Sequence, residues 1–469
     1  MAEKVLSVTL NVTVPKNVAG AMVRKSLTGY PMNELDGELI ANITESGTVK
    51  DYNIKDGDIA YYTVFTYTEG GAYNRSHSTN RCKVCVTKRS YFYGYDIKMD
   101  DENPVTRVSY PDDVDNANFT AAKMGSDNFD YGDWKIAAGE KFMPRPCMLK
   151  NDGTVDYYLD PNDYSKKEDG TDSDVANTRY KGNAMMEWPK IWTKRWSEDG
   201  VYHFRCSDIQ IDEKYDCWCN YDKNDKQIEH FYTPIYNGCV IDSVLRSLSG
   251  QVPSTGVTAS AEAVYARTNG DAWYTEVAAD WFLMQDMAVM LGKSTNTRAV
   301  LGNGVCDGTK INSGSMDAKG LFWGDVSGNA AGVKIFGMEN CWGNINRRIA
   351  GLMCLDGEYK LKITRGMHDG SAEDDYNFDG TGYIETGIKM SNNGYASESM
   401  TTCYGRLAIT TNGSATTYEC DYTACEDGIK YARVGGNNGA RSGLFYIDLT
   451  GGIESTSDDS GASISCKPN

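Results

Sequence analysis

The sequence predicts a mainly β fold with an α+β part, arranged as an N-terminal β-sandwich followed by a larger mixed domain. Strict alternation in VLSVTLNVTV (5–14) is one reason: Leu6, Val8, Leu10, Val12 and Val14 share a face, as in a strand half-buried against a core. A second is the series of short runs AMVRKSL, GELIANIT, AYYTVFTYTEG and CKVCVTK, parted by Gly, Asn and Asp turn signals at sandwich spacing. A third is that the clearest helical periodicity is confined to one stretch, TEVAADWFLMQDMAVMLGK. At 469 residues the chain exceeds one ordinary core, so two or three domains are expected. The boundaries read as a sandwich over 1–93, a connecting segment over 94–130 and a larger domain with irregular insertions over 131–469.

Beyond YFYGYDIKMDDENPV the texture changes. TRVSYPDDVDNANFTAAKM (106–124) has mixed periodicity and room for a short helix after Asp115 or Asn116. KFMPRPCMLKNDGTVDYYLDPNDY (141–164) and GNAMMEWPKIW (182–192) bring Pro, Trp and Met together, and strand-like segments then alternate with turns through YTPIYNG. In CWC, Cys217 and Cys219 are expected on one face of a strand. The helix is expected to be capped by Thr275, to pack through a stripe of Val277, Trp281, Met284, Ala288 and Leu291, and to stop at Gly292. From Gly320 onward, short strands and Gly/Asn/Ser loops dominate.

Composition narrows the function. The chain carries 47 Lys and Arg against 65 Asp and Glu, a formal charge of -18 that repels phosphate backbones, so nucleic acid is not an expected partner. The start, MAEKVLSVTLNV, lacks a charged region followed by an apolar one, and the most apolar stretch is too short to span a bilayer. A soluble product of the cytosol, without membrane insertion, is the expectation. The 14 Cys are thinly spread, which favours free, mostly buried thiols over a disulfide framework. Cys82 and Cys85 have C-x-x-C spacing but no second ligand pair, and Cys82, Val84 and Val86 alternate as a strand would.

Two C-terminal lines, VKIFGMENCWGNINRRIAG (333–351) and YARVGGNNGARSGLFYIDL (431–449), mix aromatics with Asn, Arg and Ser. Aromatics give rigid contact area and the small polar groups give adaptable hydrogen bonds, a mixture suited to recognition. With MEWPKIW, YTPIYNG, the central helix, YGRLAI and a closing SISCKP, they resemble a recurrent domain of bacteriophage and prophage minor structural, tail-fibre type proteins. That domain is similar in fold to C-type-lectin-like domains of the formylglycine-generating-enzyme type, the scaffold on which diversity-generating retroelements display variable residues. The resemblance covers about Tyr95 to the end of the chain. GYPMNELDGELI (29–40) and DGDIAYYTVFTY (56–67) resemble fibronectin type III-like modules of phage tail proteins, which act as spacers or adaptors.

The resemblance implies a binding face with Trp342, Asn344 and Asn346 on one side and Asn437, Asn438, Arg441, Ser442 and Phe445 on the other. Gly435 and Gly436 would permit a tight backbone path between them. Asn437 and Asn346 stand where many relatives have aromatics, which shifts the expected ligand toward glycans or polar protein patches. The implied role is a non-enzymatic virion protein of the tail tip or fibre. It would bind a host cell-surface glycan or protein, beside other virion subunits and as a homo-oligomer. A capsid-decorating adhesion fibre, a structural assembly subunit and a tail-associated polysaccharide depolymerase remain the alternatives.

Catalytic groups are few. None of His77, His203, His230 and His368 falls in a metalloprotease pattern, and no G-x-S-x-G elbow occurs. Acidic loops such as Asp112, Asp113 and Asp115 are expected at this composition, although paired carboxylates could cleave glycosides. DYNFDGTGYIE (375–385) matches the start of a calcium loop through Asp375, Asn377, Asp379 and Gly380, with Glu385 one position early. Asp375, Asn377 and Asp379 are therefore the candidate calcium ligands, and no other cofactor is expected.

Overall fold

Alternation organises the first ninety residues. Val8 and Val12 face inward from strand Val8–Val12, and Val49 does so from its antiparallel partner Gly47–Asp51. Ala21 and Val23 of Gly20–Ser26, with Ala60 and Tyr62 of Ile59–Tyr67, close the core from a four-stranded sheet. That sheet runs in the order Glu38–Ile43, Gly20–Ser26, Ile59–Tyr67, Arg81–Cys85. Each valine buried this way contributes roughly 1.5–3 kcal/mol. Gly47–Asp51 is not legible as a strand because GTVKD has a single large apolar residue. The same alternation sets Lys25 and Asp51 inward beside Val23 and Val49, each only 3% exposed.

The computed structural model describes residues 7–55, 57–76, 80–86, 91–134, 142–361, 384–428, 430–452 and 454–468. Met1–Ser90 forms one unit, β-sandwich-like, and Tyr91–Asn469 a second. The protein is mainly β, with 41% strand against 8% helix, so the helices pack onto a framework of sheets. Residues 94–130, expected as a connector, belong to the second unit. Phe92–Lys98 lies between Val201–Ser207 and Val108–Ser109 in a four-stranded sheet that Trp192–Glu198 completes. The expected helix after Asp115 is a series of turns. There the Asn116 amide imitates a strand neighbour, accepting from Gly94 N–H and donating to Gly94 C=O, both at 2.9 Å.

Two larger sheets make up the rest of this unit. One has seven strands, with Gly182–Pro189 near its centre; its last strands are His230–Pro234, Ile464–Cys466 and Trp273–Thr275. The chain thus returns late to fill a slot between two earlier strands. Lys467 seals it, donating to the Cys219 carbonyl at 2.7 Å and pairing with buried Asp280 at 2.8 Å. The other sheet has eight strands and contains Asn346–Leu355, Lys430–Gly435 and Gly443–Gly451 side by side. Among these, the ten-residue Asn346–Leu355 is longer than the short strands expected here.

Helix Ala278–Gly292 is buried at every position except Ala279, not along one stripe. Groups from several elements meet it. Asp286 accepts from Tyr95 Oη (2.6 Å), Tyr202 Oη (2.9 Å) and Arg195 Nε (2.7 Å), while Gln285 and Trp281 donate to the Leu444 carbonyl. A helix enclosed on all sides is what uniformly apolar patterning produces. Thr275 does not cap it: Thr275 ends strand Trp273–Thr275, and Val277 occupies the N-cap position without a side-chain bond. The helix does stop at Gly292, as expected, but Gly292 is not its left-handed cap. The left-handed residue is Lys293 (φ 48°), and Gly292 stays helical where a Cβ would lie 2.9 Å from Val300 Cγ1. Cys217 and Cys219 are buried in turns, not on a strand. Cys354 and Cys425 form a disulfide, against the expectation of free thiols, while the other twelve cysteines are free.

Candidate functional site

The segment 340–346 turns sharply before strand Asn346–Leu355, with positive φ at Asn340 (52°), Gly343 (75°) and Asn344 (63°). Asn tolerates this region because its short amide can bond locally. Trp342 is fully buried and donates from Nε1 to the Gly302 carbonyl at 3.0 Å. Asn344, 1% exposed, accepts from Ile311 N–H at 2.9 Å and donates to the Ile311 carbonyl (3.1 Å) and Asn237 Oδ1 (3.2 Å). Asn346 is buried against the Asp459 carbonyl. Arg347 and Arg348 follow, both fully buried, paired with Glu276 and Glu262. This base is a cross-braced frame.

Across the frame, Gly435 and Gly436 have φ of 82° and 68°. A Cβ on Gly435 would collide with the Cys341 carbonyl, so the strand can approach the 340–346 turn only with glycine there. The Gly436 carbonyl accepts from Gly343 N–H at 2.7 Å, joining the two motifs. A single 3-10 turn, Gly439–Arg441, follows, and Ser442 Oγ fastens its start by accepting from Asn438 N–H at 2.8 Å. Phe445 lies inside, 8% exposed, with its ring facing the Arg406 guanidinium at 5.3 Å.

The eight residues expected on the binding face therefore separate into two groups. Asn438 and Arg441 are exposed and Asn437 is half-buried. Trp342, Asn344, Asn346, Ser442 and Phe445 are buried, and for these the expectation of a ligand contact is corrected. Four of these five hold loops in place through hydrogen bonds, and Phe445 packs in the core; none is presented to solvent.

Sequence reasoning missed the neighbours that complete the surface. Asp307 bridges to Asn438, and Gly439 N–H donates to the Cys306 carbonyl at 3.0 Å, which sets exposed residues 307–310 beside the 437–441 turn. Thr309 donates to Asp307 through its hydroxyl and its N–H, and these bonds hold the Asp307 carboxyl below its usual range. Lys310 reaches the Asp458 carbonyl, tying in a third loop, 454–459. Arg441 lies over the Tyr422 ring at 4.6 Å. The face thus offers carboxylate, ammonium, guanidinium and amide groups on short loops over a stiff sheet. The Asp-Gly-Thr turn at 307–309 was the only available signal, and such turns are common.

The described groups weighed for chemistry make other contacts. His203 stacks on Trp196 and meets Asp96 Oδ1 at 2.8 Å, with Asp96 also held by Arg205, as a packed surface pair. Asp113 approaches Arg205 at 3.4 Å and Asp115 accepts from Phe92 N–H, so these acids brace loops. Among the described residues no group of three His, Cys, Asp or Glu could hold a metal ion. Asp375, Asn377 and Asp379, like His77 and His368, lie outside the described residues. A groove of about 610 Å³ lies elsewhere, in the first unit, lined by Thr9, Asn11, Tyr62, Val64 and Arg81 among others. Against known proteins, the chain matches no family model and no curated relative.

Proposed function

We propose that this chain is a non-enzymatic bacteriophage virion protein, of the tail tip or fibre, that binds the host cell surface. In this reading the second unit is a C-type-lectin-like domain and the first a fibronectin type III-like module that mounts it. One observation carries the proposal: exposed, chemically mixed loops at 307–310 and 437–441 are held from beneath by buried Trp342, Asn344 and Ser442. Loops of mixed side-chain chemistry whose backbone is fixed from below suit recognition, because affinity then needs little further ordering. The polar surface favours a glycan or a polar protein patch, bound weakly per copy and strengthened by several copies on one particle.

The test is saturable binding of the full chain, clustered on beads, to cells of a candidate host strain, beside a Lys310→Ala/Asn438→Ala/Arg441→Ala variant. Binding that disappears in a variant with unchanged thermal unfolding supports the reading. Binding that survives moves the site off this face. No binding by the wild-type chain across a panel of strains favours a structural assembly subunit.

A further inference from the structure

Inside the first unit, three charged side chains meet where a sandwich core is ordinarily apolar. Lys25 Nζ lies 2.9 Å from Asp51 Oδ2 and 2.9 Å from Glu38 Oε2. The Lys25 and Asp51 side chains are 3% and 2% exposed, whereas Glu38 is 43% exposed at the rim. Every part of the Asp51 carboxyl is engaged. Oδ1 accepts from Asn53 N–H at 2.9 Å, and Oδ2 accepts from Tyr62 Oη at 2.7 Å. Lys25 Nζ also donates to the Asn53 carbonyl at 2.5 Å, which fixes the nitrogen beside the carboxyl carbon.

We propose that Lys25 Nζ and Asp51 Cγ condense into an intramolecular isopeptide bond, with Glu38 carrying the protons. The Lys25 ammonium first passes a proton to Asp51 by way of Glu38, leaving a neutral amine beside a neutral acid. The amine lone pair attacks Cγ, the C–N bond forms, and negative charge gathers on Oδ1, where the Asn53 N–H stabilises it. Glu38 takes a proton from the new C–N nitrogen and delivers it to the Oδ2 hydroxyl. The C–O bond breaks, one water leaves past the exposed Glu38, and Nζ keeps one hydrogen. No oxidant or other reactant is needed.

Two physical arguments favour the step. Reactants held in contact by packing gain the large effective concentration of an intramolecular reaction. Condensation also removes two charges from a site where desolvation works against them, replacing them with one neutral amide. Before reaction, burial acts to discharge Lys25 while its bonds to Asp51 and Glu38 more than offset that and keep it ionised, so the condensation has to begin with the internal proton transfer. The product ties strand Gly20–Ser26 of one sheet covalently to strand Gly47–Asp51 of the other. That is the cross-link a load-bearing or protease-exposed module needs.

Intact mass of the full chain, denatured and reduced, is the test. The expected value is the sequence mass less one water, with digestion yielding a branched peptide that contains Lys25 and Asp51. Lys25→Met returns the sequence mass, Asp51→Asn loses ammonia in place of water, and Glu38→Gln leaves most of the chain unlinked. A wild-type chain at full sequence mass overturns the proposal without recourse to any variant, as does a water loss mapped to other residues. Glu38→Gln linking as completely as wild type overturns the role given to Glu38.

Discussion

Replacing Asn344 distinguishes a brace from a ligand contact. Asn344→Ala removes three hydrogen bonds, from Ile311 N–H, to the Ile311 carbonyl and to Asn237 Oδ1. At about 0.5–1.5 kcal/mol net each, with two Ile311 groups left unpartnered, these amount to about 2–4 kcal/mol. The backbone adds to this: φ is 63°, where alanine is roughly 1 kcal/mol worse than asparagine. The total is about 3–5 kcal/mol, carried by the 302–311 loop. At about 1.4 kcal/mol per tenfold, amide exchange at Ile311 should accelerate by roughly two to three and a half powers of ten. Asn344→Gly loses the same bonds but tolerates the dihedral, so its effect should be milder by about 1 kcal/mol. Hydrogen exchange read by mass spectrometry on peptides spanning 302–311 makes the measurement. Unchanged exchange in Asn344→Ala together with abolished cell binding would refute the brace and restore Asn344 as a contact residue.

Asp286→Ala strands the Arg195 guanidinium in the core and frees two tyrosine hydroxyls, so chemical denaturation of the second unit should show a loss of about 3–5 kcal/mol; a loss below about 1 kcal/mol contradicts it. Burial, reinforced by neighbouring Asp317, pushes the Glu339 carboxyl up to about 7, while the buried Lys334 ammonium opposes this. Because the folded-state value is raised, the stability this group contributes is complete below its unfolded value of 4.5 and is lost as pH rises through about 7. Thermal unfolding between those limits should therefore fall less steeply with pH in Glu339→Gln than in wild type, and parallel curves would contradict the assignment. Thiol titration of the denatured but unreduced chain should count twelve thiols, with fourteen contradicting the Cys354–Cys425 bond. Cys354→Ser should lower stability by about 4 kcal/mol, since the cross-linked residues are 71 apart.

Much of the architecture was visible because it repeats along the chain. Period-two patterning located Val8–Val12, Gly20–Ser26 and Ile59–Tyr67, and the run from Trp281 to Leu291 marked the long helix. Helix ends were less legible. Thr275 has the right chemistry for a cap, but the neighbouring strand claims it, and the helix stops at Gly292 with the left-handed position one residue later, at Lys293. The two C-terminal motifs were likewise expected beside one another, and a bond from Gly343 to Gly436 joins them.

Which of their residues meet solvent was not legible. An asparagine that bonds in two directions and accepts a left-handed backbone serves equally as an exposed contact, like Asn438, or a buried brace, like Asn344. The same ambiguity hid Lys25 and Asp51, polar residues at inward positions whose meaning depends on what faces them across the sandwich. The sequence by itself determined the mainly β class, the strand faces and the existence of one dominant helix, because these depend on the spacing of residues near one another in the chain. Only the tertiary structure decided that Ile464–Cys466 enters the seven-stranded sheet, that loop 307–310 lies beside 437–441, and that a lysine, a glutamate and an aspartate converge in the first core. Those outcomes rest on hydrogen bonds and packing between residues distant along the chain, which local patterning does not encode.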